Sequence, residues 1–274
     1  MTNEFTDIIL HFIRKAGRLA KRQQKNLSAS LKPDMSIVTQ SDLSISKLFR
    51  REIEYYLNSR GHRILDEENL PETTEDLFEP GTEYLWTIDP IDGTNTYYHG
   101  FPLWAIAVGL YRNFKPYLGA IYMPSTGELL YNDDTSSYFV SGAFSKKEKI
   151  VNLSRSEKQV FTGRDIILHH RICNENFRKY SIIDLYSTYV IAFYTLAGKS
   201  IASFFGESSK LWDITATLPI AKNIGLCFRD VENDRDLESI DNRIINGDWS
   251  LNSRYLMCDP SIYESLKADN LFNS

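Results

Sequence analysis

The chain has 274 residues and a net charge of −5 at neutral pH, so it can bury one large core or two smaller cores that share an interface. Its acidic balance argues against a general binder of nucleic acid or of anionic membranes. Three scattered cysteines, no secretory signal and no apolar run near ~20 residues predict a cytoplasmic protein with reduced thiols and no membrane span.

The first predicted element is an amphipathic helix that ends near residue 26, because apolar residues from Phe5 to Ala16 recur at helical spacing. The β-branched run 37–39 then predicts a short strand or an extended arm. Ser41 or Asp42 is expected to cap a second helix after it. Taken alone, Asp42 needs no role beyond that cap.

Two short apolar runs are each predicted to form a strand that ends in acids. The first, 62–65, leads into Asp66, Glu67 and Glu68. Taken alone, these three acids would be interpreted as a solvated run of charge.

The second run, 84–88, leads into Asp89-Pro-Ile-Asp92-Gly-Thr94-Asn95. Proline restrains the residue before it and glycine permits a sharp bend, so the two aspartates can point the same way. Two unpaired carboxylates there would repel each other, and a cation between them is the economical interpretation. The N–H groups of Thr94 and Asn95, at a predicted helix start, would suit a phosphate. An Asx-rich surface turn is the alternative.

The rest of the chain divides into two parts. Residues 103–140 predict an antiparallel meander, whereas strands alternate with helices after about residue 160, which predicts an α/β layer. We therefore predict an N-terminal α+β domain, 1–148, that carries most of the site, and a C-terminal α/β domain, 149–274. The second domain contributes Asp213, which is expected to open an apolar helix over 213–223.

Together, these stretches resemble the inositol monophosphatase family, within the lithium-sensitive, Mg²⁺-dependent sugar phosphatases. The resemblance runs from Lys32 to about Gly225 and keeps the order and separation of four elements. They are Asp42 after Ile-Val-Thr, Glu67-Glu68 after a strand, Asp89-Pro-Ile-Asp92-Gly-Thr94, and Trp212-Asp213. The resemblance implies a layered αβαβα sandwich, with an antiparallel N-terminal sheet and helices followed by a smaller alternating α/β part.

The same resemblance implies a site for two or three Mg²⁺ ions. Glu67, Asp89 and the backbone carbonyl of Ile91 would bind one ion. Asp89, Asp92 and Asp213 would bind the second, so that Asp89 bridges the two. A third, weaker ion would involve Glu67 through water.

The resemblance also implies roles in catalysis and in substrate binding. Asp42 would orient the Thr94 hydroxyl, and this pair would activate the attacking water together with Glu67. The residues implied in binding phosphate or the rest of the substrate, with the second domain forming one wall of the pocket, are Gly93, Thr94, Asn95, Lys32, Ser187, Thr188 and Glu207.

Three positions depart from the family pattern. Asp66 stands where the family usually has a small residue, and it is expected either to shift metal affinity or to face solvent. Tyr186 replaces a glycine near the substrate ring and would narrow the pocket. The position of the family's glutamate that contacts inositol is occupied by Gly206 here, while Glu207 is one position away. Inositol specificity therefore stays open, whereas the proposed metal ligands are all retained.

These features predict a Mg²⁺-dependent phosphatase that hydrolyses a small phosphate monoester by attack of a metal-activated water. Histidinol-phosphate phosphatase, 3′(2′),5′-bisphosphate nucleotidase and fructose-bisphosphatase activities share the mechanism and stay open. A non-catalytic binding or regulatory module on this fold is the alternative of another class, and the complete set of acids favours catalysis. Family members are commonly homodimers, but no feature of this sequence decides that state.

Overall fold

The computed structural model describes residues 3–33, 35–153, 165–168, 180–206 and 208–269. These residues form alternating layers of helix and sheet, which confirms the αβαβα fold. Within the described ranges, no helix is both long and apolar enough to cross a membrane. The helices are α1 (Glu4–Gln23), α2 (Gln40–Glu52), α3 (Glu54–Leu57), α4 (Thr94–Tyr98), α5 (Thr188–Leu196), α6 (Thr217–Ile224) and α7 (Pro260–Ala268).

A hairpin of β1 (Ala29–Leu31) and β2 (Ile37–Thr39) precedes a seven-stranded sheet. The strands of that sheet, in spatial order, are β3 (His62–Asp66), β4 (Tyr84–Asp92), β5 (Ala105–Arg112), β6 (Lys115–Met123), β7 (Glu128–Asn132), β8 (Ser137–Ser141) and β9 (Lys149–Asn152). The meander is antiparallel, as predicted, but β3 runs parallel to β4. Both acid-ending strands therefore finish at the same edge of the sheet, which places their acids together.

A second, six-stranded sheet is built from the later part of the chain. Its strands are β10 (Asp165–Leu168), β11 (Ser181–Asp184), β12 (Ala202–Phe205), β13 (Cys227–Asp230), β14 (Arg235–Asp236) and β15 (Tyr255–Cys258). They lie in the order β11-β10-β12-β15-β13-β14, and β10 is parallel to both of its neighbours. The predicted alternation of strand and helix is confirmed, whereas the domain boundary near residue 148 stays a prediction.

Side chains on alternating positions of β5 face the two layers that sandwich the first sheet. Ile106 and Val108 pack into the core with α1 and α2, whereas Ala107 and Tyr111 pack with α5, α6 and the second sheet. On β6, Gly119 permits the close approach of the segment that leads into α6, because an added Cβ would lie 2.2 Å from the carbonyl oxygen of Ala216. That close packing brings the second part of the chain onto the first near the predicted site.

Two predicted helix starts are wrong. Helix α2 is capped by Thr39, and Asp42 is its third residue, which accepts a hydrogen bond from the Thr39 amide to complete a capping box. The predicted helix over 213–223 begins only at Thr217. Asp213 belongs instead to a separate 3₁₀ turn, because its carboxylate accepts the amide of Lys210 three residues before it.

Candidate active site

Three aspartates from distant parts of the chain meet near the carboxyl end of β4. Asp89 and Asp92 lie on either side of a register shift between β4 and β5, and such an irregularity re-aims the side chains of a strand. Asp213 reaches the same place from the 3₁₀ turn Leu211–Asp213. One carboxylate oxygen of each aspartate lies within 4.8 Å of the other two. The structure thus brings together three acids that the sequence analysis singled out.

The turn that carries Asp213 is fixed by a loop from the far end of the chain. The amide of Leu211 donates to the Trp249 carbonyl at 3.0 Å, and the Leu251 amide donates to Ser209 at 2.8 Å. The Lys210 ammonium bonds both Asp248 and Ser250 of the same loop. No local pattern in the sequence reveals this support, because it depends on residues about forty positions later.

Asp92 is held by the N-terminus of α5. Its carboxylate accepts the Ser187 hydroxyl, the Thr188 amide at 3.2 Å and the Tyr189 amide at 2.7 Å. Ser187 and Thr188, which the resemblance implies in substrate binding, therefore contact a predicted metal ligand directly. Tyr189 was not predicted, and only the position of a helix N-terminus after Ser187 could have indicated it.

Lys32 joins the two glutamates that follow β3. Its ammonium lies 2.9 Å from Glu67 Oε1 and 2.8 Å from Glu68 Oε1. Burial, followed by the charge of Glu67, raises the pKa of the Asp89 carboxyl, although Glu67 is not one of the three acids whose oxygens lie within 4.8 Å of one another. Burial, followed by the charge of Glu67, raises the pKa of Glu68 to about 7. Glu68, to which the sequence analysis assigned no role, therefore belongs to this cluster as much as Glu67 does.

The Thr94 hydroxyl lies between two acceptors. It donates to the Ile91 carbonyl at 2.9 Å and lies 3.4 Å from Asp42 Oδ1. The other oxygen of Asp42 accepts both the amide and the hydroxyl of Thr39, at 2.8 and 2.5 Å. This capping arrangement leaves Oδ1 of Asp42 turned toward Thr94.

Gly93 adopts a left-handed conformation, with φ of +81°, and caps α4. An added Cβ would meet Ser187 Cβ at 2.9 Å, so the turn must approach the N-terminus of α5 with no side chain between them. Thr94 opens α4 as predicted, and Asn95 lies exposed in its first turn. Glu207 lies outside the described residues.

The acids of the site carry unfavourable electrostatics. Burial, and then the charges of Glu67, Asp92 and Asp213, raise the pKa of Asp89 well above its usual value. Asp213 keeps part of its surface exposed, yet burial of its carboxyl and the charge of Asp92 raise its pKa strongly too. Burial raises the pKa of Asp42 and of Asp92 to about 6, despite the hydrogen bonds that each accepts.

These residues fit a divalent cation. Asp89 is 2% exposed, and its Oδ1 is buried without a hydrogen-bond partner among the described residues. A buried carboxylate oxygen that lacks a donor is costly, and hard cations such as Mg²⁺ prefer oxygen ligands. The donor set here is made of carboxylates with the Ile91 carbonyl nearby, which matches that preference.

Asp66 does not face solvent, which excludes one of the two alternatives for this position, and an effect on metal affinity stays a prediction. Its side chain is fully buried and accepts the Ser46 hydroxyl and the Arg50 Nε, each at 2.7 Å. Tyr186 keeps a left-handed backbone, with φ of 53°, and its side chain is largely exposed. Gly206 ends a described segment, and the pocket wall expected from Glu207 stays a prediction.

Known proteins are similar to this chain in sequence. A family model described as the inositol monophosphatase family matches residues 2–262. A fructose-1,6-bisphosphatase/inositol-1-monophosphatase of Aquifex aeolicus is 32% identical over 53% of this chain and 56% of its own length. A histidinol-phosphatase of Chlorobaculum parvum is 28% identical over 81% of this chain and 84% of its own length.

Solved structures support the fold. An IMPase/NADP phosphatase complexed with Mg²⁺ and phosphate has a TM-score of 0.76 over 99% of this chain and 96% of its own, at 15% identity. At that identity the likeness concerns the fold alone. The present chain spans about half to three fifths of the length of several curated relatives that it matches.

Proposed function

Because the chain belongs to the inositol monophosphatase family, we propose that it is a Mg²⁺-dependent phosphatase that hydrolyses a small phosphate monoester. The observation that carries the proposal is the group of three aspartates within 4.8 Å, one of which keeps a buried oxygen without a donor. Uncatalysed hydrolysis of phosphate monoesters is so slow that an enzyme must supply ~20 kcal/mol or more. Most of this comes from positioning and charge stabilisation.

The proposed ligands divide between two ions. The first ion would be held by Glu67, Asp89 and the Ile91 carbonyl. The second would be held by Asp89, Asp92 and Asp213, and a third, weaker ion would lie near Glu67. When bound, Mg²⁺ would lower the pKa of the attacking water and stabilise the charge on the leaving oxygen. The acids themselves repel phosphate, so the metal-free protein would bind substrate poorly.

Asp42 and Thr94 would orient the attacking water. Asp42 Oδ1 faces the Thr94 hydroxyl at 3.4 Å, while Thr39 holds the other oxygen of the same carboxylate. The other acceptor of the Thr94 hydroxyl is the Ile91 carbonyl, at 2.9 Å, which is itself a proposed metal ligand. With that carbonyl turned to an ion, Asp42 Oδ1 would accept the hydroxyl proton, and the threonine oxygen would accept a hydrogen bond from the water. Glu67 would accept the second hydrogen bond of that water.

The phosphate would lie against the turn that precedes α4. The amides of Gly93 and Thr94 would contact its oxygens, and the absence of a side chain at Gly93 supports such an approach. Lys32 would add positive charge near the site, and Asn95, Ser187, Thr188 and Glu207 would complete the pocket. The leaving alcohol stays open among inositol, histidinol, sugar bisphosphate and nucleotide substrates.

Three further properties belong to the same proposal. Li⁺ would inhibit by competing at the ion site of Asp92 and Asp213. The protein would act in the cytoplasm, and it would form a homodimer as family members commonly do. The first and the last rest on family membership, and the second rests on the cysteine content of the sequence. They can be tested by inhibition assays, solution mass and fractionation.

The deciding experiment measures phosphate release from a panel of substrates, with and without Mg²⁺. The panel contains inositol phosphates, histidinol phosphate, fructose bisphosphate, glycerol phosphates and adenosine bisphosphate. We expect Mg²⁺-dependent turnover of at least one substrate and a loss of at least ~10²-fold in Asp92→Asn, the scale of lost electrostatic catalysis. No turnover on any substrate would favour the binding or regulatory module, and near-normal turnover in Asp92→Asn would refute its ligand role.

A further inference from the structure

Asp66 is a buried acid that the proposed reaction does not use. It ends β3 and is 0% exposed. Its Oδ2 accepts two hydrogen bonds from α2, from the Ser46 hydroxyl and the Arg50 Nε, both at 2.7 Å. A fully buried carboxylate is costly unless it is paired and hydrogen-bonded, and here both conditions are met.

The same ion pair fixes both ends of the turn that carries Glu67 and Glu68. Asp66 Oδ1 accepts the Glu68 amide at 3.2 Å, and the Asp66 carbonyl accepts the Asn69 amide at 2.9 Å. Arg50 Nη2 then donates to the Asn69 carbonyl at 2.9 Å. Arg50 therefore contacts the first and the last residue of a tight turn whose two central residues are the site glutamates.

The partners of Asp66 lie on the same face of α2 as Asp42. Asp42, Ser46 and Arg50 are spaced four residues apart, which places them one above the other on a helix. The first faces the Thr94 hydroxyl, and the other two face Asp66. One face of α2 thus contacts both Thr94, through Asp42, and the turn that carries Glu67, through Ser46 and Arg50.

We propose that the Arg50–Asp66 ion pair is a positioning element that holds the Glu67–Glu68 turn in the geometry for binding a divalent cation. This inference rests on the proposed function of the site. Glu67 and Glu68 both lie against the Lys32 ammonium, at 2.9 and 2.8 Å, so their like charges are close together. Lys32 reduces that repulsion. The side chains of Asp66 and Arg50 restrain the backbone of the turn at Glu68 and Asn69, while the Glu67 amide donates a longer hydrogen bond of 3.4 Å to the Ile88 carbonyl.

The test measures cation binding directly as well as activity. Mn²⁺, which shares the preference of Mg²⁺ for oxygen ligands, is titrated into metal-free protein while free Mn²⁺ is counted by electron paramagnetic resonance. The variants are Asp66→Asn, Arg50→Lys and the double variant Asp66→Asn/Arg50→Gln. Lys15→Met is the matched control. It removes a 2.8 Å ion pair with Glu52, which is on α2 as Arg50 is but makes no contact with the turn among the hydrogen bonds described above.

We expect the Mn²⁺ dissociation constant to rise ~10-fold in the variants, the scale seen when partners of metal ligands are lost. Turnover at saturating Mg²⁺ should stay within ~3-fold of wild type, because the ligands themselves are intact. Lys15→Met should leave the dissociation constant unchanged. If Asp66→Asn does not fold, Arg50→Lys, which keeps the charge and loses the planar fork, decides the question.

The inference is overturned if Mn²⁺ binds the variants as tightly as wild type while they lose stability to urea, since the pair would then be structural only. It is also overturned if Lys15→Met weakens Mn²⁺ binding equally, because the effect would be a general loosening of α2. Failure of the wild-type protein to bind Mn²⁺ is a different result, which would remove the proposed function and this inference with it.

Discussion

Two groups of aspartates in this protein have opposite electrostatics. In the site cluster (Asp89, Asp92 and Asp213) burial and mutual repulsion raise every pKa. In the rim cluster (Asp230, Asp234 and Asp241), on and near β13, every pKa is lowered. The members of the rim cluster each accept hydrogen bonds from side chains that include Ser253, Asn233, Lys267, Tyr263 and Arg243.

The candidate site is therefore distinguished by unbalanced charge, and not by the number of its acids or by the size of a cavity. A cavity of about 380 Å³ is lined by Asp230 and Asp241 of the rim cluster together with cationic Arg243. Asp241 is paired with Arg243, and Asp230 accepts hydrogen bonds from Ser253 and Asn233, so both carboxylates already have partners. The site cluster, by contrast, keeps the Asp89 oxygen that lacks a donor.

The strongest test of this contrast exchanges one member of each cluster. Asp89→Asn should lower turnover by ~10³-fold, because Asp89 is proposed to bridge both ions. The same change removes repulsion, so the metal-free variant should resist urea better than wild type. Asp241→Asn should keep turnover within ~2-fold, since neither Asp241 nor its partner Arg243 belongs to the proposed site. Comparable losses of turnover in the two variants would end the distinction between the clusters.

Asp42 sharpens the contrast because it combines properties of both clusters. Burial raises its pKa to about 6, as in the site cluster, yet Thr39 donates to it twice. We expect Asp42→Asn and Thr94→Val each to lower turnover by ~10²-fold, the scale of general base catalysis. The double variant should be little worse than either one, because the two groups act as a unit. Additive losses would show that they act separately, and Thr94→Ser, which keeps the hydroxyl, is the control.

The acids of the candidate site could be singled out from the sequence only through the order and separation of four elements, because each acid taken alone had a structural explanation. Asp89 and Asp92 follow an apolar strand and surround a proline turn, and Glu67 follows another strand. Parallel pairing of those strands then places the acids at one edge, a consequence of topology rather than of spacing. The fold class could be predicted in the same way, from the change from meander to alternating elements.

The parts that could not be predicted depend on contacts between residues far apart in the chain. Whether Asp66 faces solvent or α2 is decided by Arg50 on a helix packed beside it, which no periodicity encodes. The helix start was misplaced at Asp213 because its turn is fixed by the loop of Trp249. Cys227 and Cys258 are free and buried. They lie opposite each other on the neighbouring strands β13 and β15, which follows from the order of strands in the sheet.

The pH dependence of stability separates the clusters without any substitution. Raised pKa values mean that folded, metal-free protein keeps protons that the unfolded chain has lost, so the site cluster destabilises the fold as pH rises from about 4 to about 7. The lowered pKa values of the rim cluster stabilise the folded protein above about pH 4, and this stabilisation is lost as the pH falls below that value.

Mg²⁺ should therefore stabilise the protein more as pH rises, because binding needs ionised carboxylates. The increase in the midpoint of thermal unfolding caused by Mg²⁺, relative to a chelator, should be small near pH 5 and reach several degrees by about pH 7.5. Calorimetry at a series of pH values measures it. An increase that is the same at every pH would show that Mg²⁺ binds groups other than the raised carboxyls.

The smallest effect is expected when the rim cluster loses a cation. Asp234 accepts hydrogen bonds from Lys267 at 2.6 Å, from Tyr263 at 2.9 Å and from Arg229 at 3.3 Å. Lys267→Met leaves the last two donors in place, so turnover and the number of Mn²⁺ ions bound per chain should not change. Exposed ion pairs contribute little to stability, and an acid with remaining donors gains little from a cation. One additional Mn²⁺ per chain in this variant would show that the rim acids are a latent cation site held closed by Lys267, and charge balance alone would no longer distinguish the two clusters.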